Sequence, residues 1–384
     1  MLLLLLTSAC TKVPLFDTTT RSESTTIQTL FPTIAPTKTN TYAPEPPFIS
    51  NLTSTPSPTD TPSPRPSPSS TSTPALSYIS IENLGEVDQV IVLEHPRKIT
   101  SVAFSPNSGF LVTGGVDGIA RLWRIDDREP LYSINVHPFS IQVTFAHHSE
   151  LFATTDQSGY VRLWRMSDGS LVREFKRHSG PATCAAFSSE DEFLVSGGVD
   201  NKARIWRVID GAQLFVLTHY SQVLSVAVHP DDQFVATGDV NGYLWLWNVE
   251  NGSLVYQREH AQFINATIFS PDGSIIATGA GDGTIKLWKT EDGNEILTIN
   301  TAAPVFVLAF SHDGKILASG GFGIEQHIYL WNATDGSLLA KLDGHELCRE
   351  KYCSISGLAF SPDGKYLASA ATDYTVRLWT FESP

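Results

Sequence analysis

Seven tryptophans, Trp123, Trp164, Trp206, Trp247, Trp288, Trp331 and Trp379, follow one another at gaps of 41, 42, 41, 41, 43 and 48 residues, each within a short apolar run. A period of about 40 to 45 residues made of several short strands constrains a chain to radial repetition, because one unit cannot bury its own apolar face and a ring of them can. The expected fold is all-β: a seven-bladed β-propeller over residues 77–384, preceded by a disordered Thr/Ser/Pro-rich segment at 11–76. Such a platform serves many purposes, so the architecture names no client.

Within each unit the turns carry suitable chemistry. In the fifth, Ile264 to Phe269 reads as a strand and Ser270-Pro271-Asp272-Gly273 as a turn. Pro supplies a fixed φ there and Gly a positive one. Three further strands follow, at Ile275 to Thr278, Thr284 to Trp288 and Glu295 to Ile299, with Asp292-Gly293 as the last hairpin. Only five residues follow Trp379, so the seventh unit lacks a fourth strand, and Val90 to Leu93 is expected to supply it and close the ring.

These repeats resemble WD-repeat β-propellers, although the family's eponymous dipeptide is missing and each motif tryptophan is followed instead by Arg, Asn, Lys or Thr, as at Trp123-Arg124 and Trp247-Asn248. The resemblance implies an internal tetrad of a leading His, a Ser or Thr, an Asp and the Trp. Complete sets are His95, Thr113, Asp117 and Trp123; His178, Ser196, Asp200 and Trp206; His260, Thr278, Asp282 and Trp288; and His345, Ser369, Asp373 and Trp379. Ser158 and Asn241 stand for the Asp in the second and fourth units, and the sixth lacks the His and has Glu325 in a longer turn. Complete and incomplete blades thus alternate, and the sets are expected to be structural rather than catalytic.

The amino terminus, Met1 followed by five leucines and Thr7-Ser8-Ala9-Cys10, resembles the end of a bacterial lipoprotein signal, which implies cleavage before Cys10 and its lipidation. The leucine run is shorter than the roughly 7 to 15 residues of a signal core, and no basic residue precedes it. Residues 11–76, rich in Thr-Pro and Ser-Pro, would reach between about 50 and 200 Å as a stalk. Charges cancel in that segment, so the net charge of −14 belongs to the propeller and argues against nucleic-acid binding.

Residues that break the repeat on the face bearing the His and Asp loops are the candidates for function. Positions leading into the first strands read Lys98, Phe139, Pro181, Gln222, Phe263, Pro304 and Ser354, with Thr100, Ile141, Thr183, Leu224, Asn265, Phe306 and Ser356 two residues later. Phe139, Phe263 and Phe306, with Tyr220, are expected to form an aromatic patch for a protein partner. The seventh unit carries six extra residues, including Cys348-Arg349-Glu350-Lys351-Tyr352-Cys353, where export would favour a Cys348–Cys353 disulfide. No hydrolase elbow, zinc pair, phosphate loop or dinucleotide motif is present, and neither cofactor nor metal is expected. The leading expectation is a monomeric, non-catalytic interaction scaffold, with the membrane reached only through the lipid. Two alternatives stand beside it: an exported propeller that binds or processes a small molecule or glycan in its channel, and a cytosolic adaptor.

Overall fold

The computed structural model describes residues 87–380 apart from 126, 128, 138, 140, 177, 302, 324–326 and 346–352. Cys10, the 11–76 segment and Glu325 lie outside the described residues, as do Cys348 and the side chain of Cys353. No helix occurs among the described residues. Twenty-eight strands among the described residues form antiparallel sheets, and the fourfold repeat is regular: the first blade takes Ile99–Phe104, Phe110–Gly115, Ile119–Arg124 and Pro130–Asn135, and its neighbours follow the same order outward.

The seventh blade takes Cys353–Phe360, Tyr366–Ala371 and Thr375–Thr380, and its outer strand is Asp88–Glu94 from the other end of the chain. Pairing runs from Asp88↔Thr380 to Glu94↔Thr375, and the His95 N–H continues it to Tyr374 O at 2.8 Å. The sixth and seventh blades are joined as well, because the strand Ile316–Gly323 overruns its blade and pairs Phe322 with Ser354.

Each blade alternates apolar side chains on both faces of its sheet, so the core is not one mass but seven wedges, each shared by two neighbours. Val112 and Leu122 of the first blade meet Ile141, Phe145 and Phe152 of the second, and the remaining wedges repeat this around the ring. One glycine position sets how closely the blades approach. A Cβ on Gly197 would lie 2.7 Å from Val223 Cγ1, on Gly238 2.5 Å from Ile264 Cγ2 and on Gly279 2.5 Å from Val305 Cγ1. In these blades the glycine admits the first residue of the next inner strand, whereas the second and seventh blades accommodate Thr155 and Ala370 at the same place.

The innermost strands carry a second joint. In every blade but the second, one extra residue bulges between the first two strands, at Thr100, Thr183, Leu224, Asn265, Phe306 and Ser356. The polar members reach the next blade: Thr100 donates to Ile141 O, Thr183 to Val223 O at 2.6 Å, Asn265 to Val305 O at 3.2 Å and Ser356 to Ile99 O at 2.6 Å. The second blade pairs Ile141 to Phe145 with no shift, which corrects the sequence alignment of that unit. Ile141 is a core residue, 1% exposed, and does not belong to the inner row. At the far end of the blades, Asp191 takes φ 57° and its carboxylate accepts the N–H groups of His147, His148 and Ser149 at 2.7, 2.9 and 2.6 Å. Thr183→Val keeps shape at the joint and strips its donor from Val223 O, so a loss of about 1 to 2 kcal/mol in urea unfolding is expected. An unchanged midpoint would reduce these joints to bystanders.

Candidate functional site: the His and Asp face

Because strands alternate in direction, the loop leading into each blade and the turn between its second and third strands share one face. The tetrads build that face. In the third blade His178 Nδ1 meets Asp200 Oδ1 at 2.9 Å, its Nε2 meets Ser196 Oγ at 2.8 Å, and Trp206 Nε1 donates to the same Oγ at 2.9 Å. The seventh repeats it with His345 on Asp373 and Ser369 at 2.9 and 2.7 Å, and Trp379 on Ser369 at 2.9 Å. In the fifth, His260 Nε2 meets Thr278 at 2.7 Å, Trp288 Nε1 donates to Thr278 at 2.8 Å, and Asp282 Oδ2 stands 3.4 Å from His260 Nδ1.

The first blade differs from its expected set. Thr113 meets His95 Nε2 at 3.2 Å and Trp123 at 2.9 Å, but Asp117 turns to the Arg121 guanidinium at 2.7 Å and leaves His95 Nδ1 buried without a hydrogen-bond partner. The arginine alone does not decide this, because Arg204 and Arg377 stand four residues after Asp200 and Asp373, which keep their histidines at 2.9 Å. In the second blade His137 has left the set, and its Nε2 meets Ser158 Oγ at 2.7 Å.

The second and fourth blades are not short of a carboxylate. It has moved two residues upstream, to Asp156 and Asp239, which are 1% and 0% exposed. Asp239 accepts the N–H groups of Asn241 and Tyr243 at 2.9 and 3.0 Å and the Trp245 indole at 2.9 Å. Asp156 accepts those of Ser158 and Tyr160 at 2.8 and 3.2 Å and pairs with Arg162. The donor served is the same as in the first, fifth and seventh blades, where Asp117, Asp282 and Asp373 take the matching N–H groups of Ile119, Thr284 and Thr375 at 3.2, 2.9 and 3.0 Å. Complete blades leave room for their His and Asp with a small residue at the upstream place: a Cβ on Gly198 would lie 2.3 Å from His178 Nδ1, and on Gly115 2.4 Å from Asp117 Oδ1. The signal was in the sequence, as an Asp two residues after the tetrad threonine wherever Ser or Asn holds the usual place.

Electrostatics follow from burial. Desolvation pushes His95 down to about 3 and His219 and His260 to about 4, and lowers His178 and His345 too. Desolvation works against ionised Asp200 and Asp373, but their hydrogen bonds, led by those from His178 and His345, outweigh it and hold both below the usual range. Asp239 goes the other way, raised by burial with no cation beside it. A His depressed on folding is neutral in the native state and binds protons only when unfolded, so its contribution is intact above about pH 6.5 and is lost as the pH falls toward 4. His219 and His260 should each cost up to about 3 kcal/mol across that window. The urea midpoint is expected to drop steeply between pH 6.5 and 4.5; a flat profile there would mean the rings are protonated in place.

These His, Asp and Ser sets cannot act as nucleophilic triads. Ser196 and Ser369 are 0% exposed, and each oxygen already accepts a tryptophan N–H. The sets hold loops, and the loops present other side chains. Phe139 is 57% exposed and Tyr220 is 71% exposed. The other two expected members of the patch are half-buried: Phe263 lies on Gly281, where a Cβ would meet its ring at 2.3 Å, and Phe306 packs on Phe322 with centroids 6.0 Å apart. Sequence reasoning missed what supports Tyr220, which rests edge-on against Trp245 at 4.9 Å, while Trp245 stacks on Trp247 at 5.6 Å. Trp245 occupies the place that Arg121, Arg204 and Arg377 hold elsewhere. Cys184 is a core thiol, pushed up to about 11 by desolvation.

Comparison with known proteins places the repeats. The family described as "IFT122 first beta-propeller" matches residues 139–325, and "WD domain, G-beta repeat" matches 88–124 and 336–380. "Protein groucho" of Drosophila melanogaster is 24% identical over 151 residues, which is 38% of this chain and 21% of that protein. The match thus spans about a fifth of that relative's length.

Proposed function

The chain is a WD40-repeat β-propeller, and on that premise we propose that it is a non-catalytic scaffold whose His and Asp face docks a protein partner through Phe139 and Tyr220. The observation that carries the reading is the contrast on that face. The His, Asp and Ser sets of the third, fifth and seventh blades are taken up in holding loops, whereas two large aromatic rings stand 57% and 71% exposed, Phe139 beside His137 and Tyr220 against Trp245. Exposed aromatics on a stiff frame lose little entropy on binding and are the usual anchors of interfaces. Phe263 and Phe306 contribute by shaping the loops beneath.

Affinity capture from native extract with the full-length protein and with Phe139→Ala/Tyr220→Ala tests this. A specific partner should be retained by the native chain and depleted at least tenfold by a variant that melts at the same temperature. Equal retention by both would move the docking surface elsewhere.

The anchored arrangement belongs to the same proposal: a monomer held at an extracytoplasmic membrane surface by lipid on Cys10, with 11–76 as the stalk. Fatty-acid labelling that is present in the native chain and absent in Cys10→Ser supports it. An unlabelled native chain removes the anchor and leaves the scaffold reading intact.

A further inference from the structure

The sixth blade has lost its histidine and kept the place where one would sit. Thr301 stands at that position, its N–H donating to Gly283 O at 2.8 Å as the His260 N–H donates to Gly242 O at 2.8 Å. The Thr301 hydroxyl turns away, to Gly283 O at 2.8 Å and Ala303 O at 2.7 Å. A cavity of about 40 Å³ remains, lined among others by Thr301, Pro304, Ser319, Gly320, His327 and Tyr329.

The wall of this cavity is the wall that receives imidazole in the other blades. Ser319, 2% exposed, accepts Trp331 Nε1 at 2.8 Å, just as Ser196 and Thr278 accept Trp206 and Trp288. Those two hydroxyls each meet a histidine Nε2 as well, at 2.8 and 2.7 Å. Gly321 stands where Gly198 faces His178, and a Cβ on it would lie 1.9 Å from Pro304 O, so backbone closes this side of the place. Tyr329 stacks on Trp331 at 5.8 Å, and His327 closes the side with its Nδ1 2.5 Å from Asp343 Oδ1. One water needs roughly 10 to 15 Å³ of such space, so the cavity takes on the order of three waters or one five-membered ring in their stead.

We infer that the sixth blade is a receptor for a neutral imidazole ring, supplied either as a free small azole or as the histidine side chain of a bound peptide. Ser319 Oγ would meet the ring nitrogen, and Tyr329 and Pro304 would flank its faces. The ring must be neutral, because the enclosure that accepts it offers a hydroxyl and aromatic surface to a charge that would otherwise keep its water. This site is separate from the exposed aromatic pair and does not rest on its role.

Calorimetric titration of the tag-free full-length protein at pH 8 tests the inference, using imidazole in one arm and N-acetylhistidine N-methylamide in the other. One saturable site is expected, with Kd on the order of 1 mM for so few atoms. Thr301→His fills the cavity from within, so it should weaken imidazole at least tenfold and raise the melting temperature. Ser319→Ala should weaken it similarly, and titration of imidazole at about pH 6, where most of the free ring is protonated and the fold keeps most of its stability, should weaken it too. Binding of imidazole alone identifies a small-azole site; binding of both probes shows that a peptide histidine can reach it. Absence of saturable binding for either probe, or equal binding by Thr301→His, overturns the inference.

Discussion

A chain that begins at His95 is expected not to fold. Removing Asp88–Glu94 leaves Thr375–Thr380 as an unpaired edge and deprives Arg377 of its hydrogen bond to Gln89. It also opens the wedge in which Leu93, 2% exposed, packs with Ile99, Leu111, Trp123, Val376 and Leu378. The lost ladder and the uncovered apolar surface together amount to upwards of about 5 kcal/mol, which is comparable with the whole stability of an ordinary domain. The rest of the ring depends on this joint, since a propeller avoids open edges only when closed. A chain lacking only residues 1–76 should melt within a few degrees of the full length, and the His95 chain should be recovered in aggregates or without a cooperative transition. Addition of a peptide spanning 86–96 should restore some of it. A His95 chain that melts cooperatively at the full-length temperature would show that the six intact blades hold the seventh unaided.

The period and turn chemistry made the ring legible because both are local. Tryptophans about 41 residues apart and Gly at the αL turn positions state a blade, and the pairing of Asp88–Glu94 with Thr375–Thr380 bears out the expected closing strand. What stayed hidden is decided between elements. The tetrad in the first blade reads as complete, yet Arg121 rather than His95 takes Asp117, a competition that no spacing reveals. Alternation does not place Phe263 and Phe306 in or out, and a glycine under one and Phe322 beside the other draw them in. Ile141 was misplaced because the second blade omits the bulge, so counting back from Phe145 lands one residue off. The joints from Thr100, Thr183, Asn265 and Ser356 fall in the blades whose sets read as complete, but only the neighbouring carbonyls give those residues a role.

Moving a carboxylate within the fourth blade should be tolerated only as an exchange. Asp239→Gly alone strands the Trp245 indole N–H inside the protein and strips the partner from the part-buried N–H groups of Asn241 and Tyr243, at an expected loss of about 2 to 3 kcal/mol. Asn241→Asp alone sets a second carboxylate beside one that burial already disfavours as an anion, and should cost about 1 to 3 kcal/mol. Together the two changes recreate the third blade, with Gly upstream and Asp downstream. The new carboxylate regains the Tyr243 N–H and faces His219, whose Nδ1 otherwise meets only Leu217 O at 3.2 Å. The double variant should therefore be more stable than Asp239→Gly, with a coupling of about 2 kcal/mol or more in urea unfolding. The reverse single change, Gly198→Asp, has no such escape, because its Cβ would lie 2.3 Å from the ring of His178 while Asp200 remains in place. Losses that simply add in the fourth blade would mean that the two positions serve separate needs. A positive coupling would mean that each blade has one place for one buried carboxylate, reachable from either of two positions in the chain.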